Sequence, residues 1–230
     1  MTLKLAIFDC DGVLIDSEVI SACVLVDLAA QYGVSFDASY VRTHFQGRSF
    51  PFVAQTIRSS FAVTLPPDFE ARYREQLLRR FETDLRPTPG VLNILNRLSV
   101  QACVATSSSP QRASRSLELV GLSGFFDRVF TASMVERGKP APDLFLHAAK
   151  ELGVDPQDCL VIEDSAPGVQ AAQAAGMEVA FYAGASHWSG LDSERMPEFD
   201  KLGPLTPFFH WSDLVAVYPG LLKASPAPEQ

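Results

Sequence analysis

The sequence predicts an α/β protein, a doubly wound parallel sheet interrupted by a small α-helical insertion. Three observations carry that expectation. Five short apolar runs, Leu3 to Phe8, Ala102 to Thr106, Arg128 to Thr131, Cys159 to Ile162 and Glu178 to Tyr182, are continuous rather than alternating, as strands covered on both faces are. Amphipathic stretches at Pro110 to Val120, Pro142 to Leu152 and Pro167 to Ala175 lie between the later runs, and strand-helix alternation of this kind builds a parallel sheet. Residues 17 to 87 break the alternation, holding helical periodicity and nothing that resembles a buried strand.

The first run ends in Phe8-Asp9-Cys10-Asp11-Gly12. Two carboxylates at the end of a buried strand are costly unless something cationic joins them. Asp-Gly between apolar runs is also a hairpin signal, and taken alone these five residues read as a turn. Ser17 to Tyr32 has apolar residues at helical spacing and stops at Gly33, a good residue to follow a helix. Asp37 is placed to cap a second helix, Ser49 with Pro51 a third, and Pro66-Pro67-Asp68 opens a fourth that runs to about Asp84. The boundaries fall at Asp16-Ser17 and at Arg86-Pro87-Thr88-Pro89-Gly90, which cannot continue a helix. The expected organisation is a core domain of residues 1–16 and 88–230 with a helical domain of residues 17–87. Near the end, Trp211 to Tyr218 reads as a closing helix and the proline-bearing Ala224 to Gln230 as a loose tail.

At 230 residues and 47% hydrophobic, the chain can bury a full core without staples. Its net charge of -8 and pI near 5.0 argue against a nucleic-acid binder. Cys10, Cys23, Cys103 and Cys159 show no C-x-x-C spacing, so reduced thiols in a cytoplasmic protein are expected. No signal segment opens the chain and no apolar run approaches the roughly 18 residues of a membrane span. Arginines 42, 48, 58, 72, 74, 79, 80 and 86 make the insertion arginine-rich and lysine-free. Most fit solvated helix faces with i,i+4 partners such as Glu70-Arg74 and Glu75-Arg79. Arg48, in the loop Gln46-Gly47-Arg48-Ser49, reads equally as an anion-binding group or as an exposed turn arginine.

Ligands of open α/β sheets bind at the carboxyl ends of the strands. The residues there are Asp9, Asp11 and Gly12, then Thr106, Ser107 and Ser108, then, some residues after the third run, Gly138-Lys139-Pro140, then Glu163, Asp164 and Ser165. Each group has a bland explanation as a turn or a helix cap. Together they gather four carboxylates around a single cation, Lys139, a set that invites a divalent ion of the Mg2+ type. The hydroxyls and turn N–H groups from Thr106 to Ser108 suit phosphoryl oxygens.

The order D-x-D-G, strand ending in Thr, G-K-P-x-P, E-D-S resembles the haloacid dehalogenase superfamily. The run Asp9 to Ser17 with a helical insertion directly after it is similar to the β-phosphoglucomutase-like group of phosphatases. The resemblance implies a Rossmann-like core with a helical cap. It makes Asp9 the nucleophile that becomes an aspartyl phosphate, and Asp11 the acid and base, its backbone carbonyl on Mg2+. Thr106 and the N–H groups after it would hold the phosphoryl oxygens, with Ser107, Ser108, Gly12 and Arg48 on the substrate side. Lys139 would neutralise charge, and Asp164, with Glu163 directly or through water, would complete the metal site. The implied reaction is Mg2+-dependent hydrolysis of a small phosphorylated metabolite: a sugar, polyol or sugar-acid phosphate. Asp11 argues against dehalogenation, and the lysine-free insertion against the phosphonate-cleaving branch. A mutase remains the alternative, although Ser21 stands where mutases carry histidine; a non-catalytic, partner-binding member is the other. His187 is expected on a surface loop, and the sequence is silent on oligomeric state.

Overall fold

In the computed structural model, residues 3–190, 202, 205 and 207–223 are described. A sheet of six parallel strands has the order β3-β2-β1-β4-β5-β6, with β1 Leu5–Phe8, β2 Gln101–Thr106, β3 Val129–Thr131, β4 Cys159–Glu163, β5 Glu178–Tyr182 and β6 Pro207–Phe208. The first strand lies in the middle, in register with β2 through Ile7 and Cys103 and with β4 through Ile7 and Val161. The chain winds outward from β1 to β3 and then returns to β4 on the other side. Its topological switch point is therefore the carboxyl end of β1, where Asp9 begins.

Alternation along the strands sends Ala6 and Phe8 to one face and Leu5 and Ile7 to the other. Leu5 and Ile7 meet Leu144 and Phe145 of α7 (Asp143–Glu151) and Ala171 and Ala172 of α8 (Ala166–Ala174). Phe8 lies against Phe126 and Trp211, ring centroids 5.8 and 6.2 Å away. That second cluster continues through Leu117 of α6 (Pro110–Leu119) and Leu214 of α9 (Trp211–Val217) into the helices between β1 and β2.

The first four of those helices are α1 Glu18–Ala30, α2 Ala38–Phe45, α3 Phe50–Phe61 and α4 Phe69–Asp84. Asp37 caps α2 by accepting from the Tyr40 N–H at 2.8 Å. α3 starts after Ser49 with Pro51 in its first turn, but the Ser49 side chain makes no capping hydrogen bond. Glu70 with Arg74 and Glu75 with Arg79 form the anticipated i,i+4 pairs on α4. The two connections to the sheet run side by side: the Asp16 N–H donates to Arg86 O at 2.9 Å and the Thr88 N–H to Leu14 O at 3.0 Å. The short helix α5 (Val91–Leu95) and the two-residue strand β6 have no counterpart in the sequence reading. The stretch Ala224 to Gln230 lies outside the described residues. Among the described residues no helix is long and apolar enough to cross a membrane.

Phe8 is fully buried, so Phe8→Ala opens a large void beneath the switch point. The expected cost is about 3–5 kcal/mol of unfolding free energy, read from urea denaturation curves.

Candidate active site

β1 delivers Asp9 and the turn after it delivers Asp11, both almost out of contact with water. Gly12 makes the turn at φ +76°, and a Cβ there would come within 1.9 Å of Asp164 Oδ2, so any other residue would be strained and would displace Asp164. Lys139 Nζ stands between strand ends, 3.0 Å from Asp9 Oδ1, 2.7 Å from Glu163 Oε1 and 3.0 Å from Ala105 O. Glu163 spends its other oxygen on the N–H groups of Asp164 and Ser165 and on the Ser165 hydroxyl. Ser165 in turn caps α8 by accepting from the Gly168 N–H at 3.2 Å.

Asp9, Glu163 and Asp164 each offer an oxygen, all within 4.8 Å of one another. Burial pushes the Asp9 carboxyl well above the usual carboxylate range; Lys139 opposes this, while Glu163, Asp164 and Asp11 add to it. Burial and then Glu163 push Asp164 up in the same way. The cluster holds more negative charge than one lysine balances, and its donors are all hard oxygens. These residues fit a divalent cation. Glu163 Oε2 already accepts three hydrogen bonds, whereas its Oε1 accepts only from Lys139.

Asp11 is held differently. Burial raises its pKa, but the Arg112 charge and hydrogen bonds from Ser108, Ser17 and Arg112 outweigh this and keep it below the normal range. Ser17 Oγ and Arg112 Nη2 both donate to Oδ1 at 2.6 Å, and Ser108 Oγ donates to Oδ2 at 2.6 Å. Thr106 Oγ1 accepts from the Ser108 N–H at 3.0 Å, shaping the turn after β2. A cavity of about 340 Å3 lies over these groups, with Asp9, Asp11, Thr106 and Asp164 among its walls.

The loop between α2 and α3 docks directly on the strand ends. Ser107 Oγ donates to Gly47 O at 2.9 Å, and at φ +71° a Cβ on Gly47 would lie 2.3 Å from Ser165 Oγ. Arg48 is half-buried in the cavity wall with its guanidinium 4.8 Å from the Phe52 ring centroid. All ten residues singled out in the sequence thus meet around one cavity or its immediate supports.

His187 corrects the sequence reading. Its side chain is only 6% exposed, with Nε2 3.0 Å from Asp164 Oδ2 and 2.7 Å from Gln46 Nε2, because the segment after β5 folds back over the α2–α3 loop. Burial lowers its pKa to about 4, so the ring is neutral at pH 7. Gln46 Nε2 donates to Asp164 Oδ2 at 3.0 Å and to Asp164 O at 3.3 Å. Arg112, Ser17, Gln46 and His187 were not singled out for the site. Only Ser17 carried a sequence signal, its place just before a helix.

The unfolded chain binds a proton at His187 near pH 6.5 and the folded chain only near pH 4. Stability is therefore lost as pH falls between those values. In EDTA, urea unfolding should show His187→Gln losing less stability than the wild type between pH 7 and pH 4.5; equal losses would contradict this.

A family model described as haloacid dehalogenase-like hydrolase matches residues 3–176. The 6-phosphogluconate phosphatase of Escherichia coli (strain K12) is 28% identical over 205 residues, 88% of this chain and 93% of that protein. The fructose-1-phosphate phosphatase YqaB of the same organism is 33% identical over 175 residues, 75% of this chain and 92% of its own. A haloacid dehalogenase-like protein from Agrobacterium tumefaciens str. C58 superposes with a TM-score of 0.78 at 33% identity, covering 94% of this chain and 98% of that one. The chain belongs to the haloacid dehalogenase-like hydrolases, as a phosphoric monoester hydrolase.

Proposed function

We propose that the protein is a Mg2+-dependent phosphatase of small phosphorylated sugars, polyols or sugar acids, working through an aspartyl phosphate on Asp9. The observation that carries this reading is the pairing of two carboxylates in opposite environments, Asp9 against Lys139 and Asp11 against Arg112, at the switch point beneath one cavity. The two relatives act, by their names, on 6-phosphogluconate and fructose 1-phosphate. Four free cysteines suit a reducing cytoplasm.

In this mechanism the Asp9 carboxylate attacks phosphorus in line with the leaving oxygen. Lys139 holds the attacking group by Oδ1 and screens its charge from the incoming phosphoryl group. The turn N–H groups after Thr106 receive phosphoryl oxygens at the start of α6. Asp11 gives a proton to the departing oxygen and later takes one from the water that opens the aspartyl phosphate. The arriving phosphoryl charge raises the proton affinity of Asp11 above its resting value. Asp9, Asp164 and the Asp11 carbonyl, with Glu163 directly or through water, would hold Mg2+, which when bound would screen the phosphoryl charge and let two anions meet. Helices α1–α4 serve as a cap on residues 17–87, with hinges where Asp16 and Arg86 run together and with Arg48 turned to the substrate.

Phosphate release from p-nitrophenyl phosphate across a metal and pH series tests the reaction. The wild type should turn over with Mg2+ and Asp9→Ala should not; no difference between them would sink the reading. Asp11→Asn should fold normally and lose about two orders of magnitude in kcat. A panel of phosphorylated sugars, polyols and sugar acids ranked by kcat/KM, with products analysed for phosphate transfer, identifies the substrate class and exposes any mutase activity.

A further inference from the structure

Arg112 has no role in the steps above. It sits in the first turn of α6, three residues after the cap Ser109, and its side chain is 17% exposed. Besides Asp11, its Nη2 donates to Ser21 Oγ on α1 at 3.0 Å, and its guanidinium carbon lies 5.6 Å from the Phe81 ring centroid on α4. Its Nε is buried and has no hydrogen-bond partner among the described residues. The titratable groups around it are Asp11, Tyr73 of α4, Glu18 of α1 and Cys10. A guanidinium enclosed to this degree is desolvated, and only a close carboxylate offsets the cost.

The donors on Asp11 are not equivalent. Ser17 and Ser108 carry hydroxyls that can rotate and become acceptors, whereas a guanidinium is all donor and keeps its charge. With Arg112 on Oδ1, a proton on Asp11 must sit on Oδ2, the oxygen beside Ser108, which lines the cavity. We propose that Arg112 is a positioning residue: it grips Asp11 by Oδ1, so that the proton exchanged with leaving group and water travels on Oδ2. The inference rests on the phosphatase reading above. In the first step the proton passes from Oδ2 to the leaving oxygen as that oxygen's bond to phosphorus breaks and the Asp9 oxygen bond forms. In the second, water returns a proton to Oδ2 while its oxygen bonds phosphorus and Asp9 is released as carboxylate, giving inorganic phosphate. Ser21 steadies the guanidinium from α1, which ties the alignment of Asp11 to the seating of the helical insertion.

The test is leaving-group dependence, which a packing defect does not alter. p-Nitrophenolate departs without needing a proton, phenolate needs one more, and a sugar alkoxide needs one most. kcat and KM are measured for Arg112→Met and Arg112→Lys on p-nitrophenyl phosphate, phenyl phosphate and the best sugar phosphate of the panel. For Arg112→Met the kcat/KM loss, which reports the step in which the leaving group departs, should be about tenfold or more greater on the sugar phosphate than on p-nitrophenyl phosphate, with KM within about threefold and partial recovery in Arg112→Lys. The same loss on all three substrates would overturn the proposal, as would a raised KM with kcat unchanged, which would make Arg112 a substrate-binding group. Should Arg112→Met fail to fold, Arg112→Gln and Ser21→Ala are read by the same ratio. Wild-type protein inert on all three substrates removes the phosphatase reading itself; an active wild type with uniform losses removes only the role of Arg112.

Discussion

The Lys139 ammonium is the group on which the site depends. It is 5% exposed and held by Asp9, Glu163 and the Ala105 carbonyl, so one cation joins the ends of β1, β4 and β2. A buried ion pair adds little to stability compared with apolar packing. What it secures here is geometry. Without it, Asp9, Glu163 and Asp164 would face one another with no charge between them, and nothing would oppose the repulsion at the strand ends. Glu163 is fixed on its other side by three donors at the start of α8, so the lysine is braced by a residue that cannot turn toward it or away.

The same economy of contacts seats the α2–α3 loop. Gly47 brings bare backbone against Ser107 and Ser165, and Gln46 reaches both the side chain and the backbone of Asp164. The inserted helices are therefore connected to the sheet edge through the carboxylate side of the site, in addition to the paired segments at Asp16 and Arg86. His187 closes this contact from the β5 side, which is why a residue in an apparently free loop is buried.

Much of this was legible in the sequence, and the exceptions have physical causes. The five longer strands announce themselves because both faces are buried and their apolar runs are unbroken. β6 has two residues, one of them proline, and α5 has five; neither is long enough to display a period. Asp9, Asp11 and Asp164 could be found because strand ends mark them, and Lys139 because of the Gly-Lys-Pro setting it has beyond β3. Arg112 could not, since its meaning lies in a hydrogen bond to a residue 101 positions away. Ser17 had the right type for a helix cap, yet its hydroxyl serves Asp11 instead. His187 was misplaced because burial comes from the fold-back after β5, which no local pattern encodes.

Two aspartates two residues apart end with opposite proton affinities, and the turn between them is the reason. Asp9 continues the line of β1 into the buried acidic cluster, where desolvation and neighbouring carboxylates favour its neutral form until cations balance it. At Asp11 the chain has begun to bend toward Gly12, and the side chain leaves that cluster for serine hydroxyls and a guanidinium that favour its ionised form. A straight strand would send both side chains to the same face and leave them repelling in one environment. The turn separates them by environment more than by distance. One carboxylate thereby sits beside a lysine among other carboxylates, and the other among hydroxyls and a guanidinium, which is the separation of environments that the proposed division of roles requires.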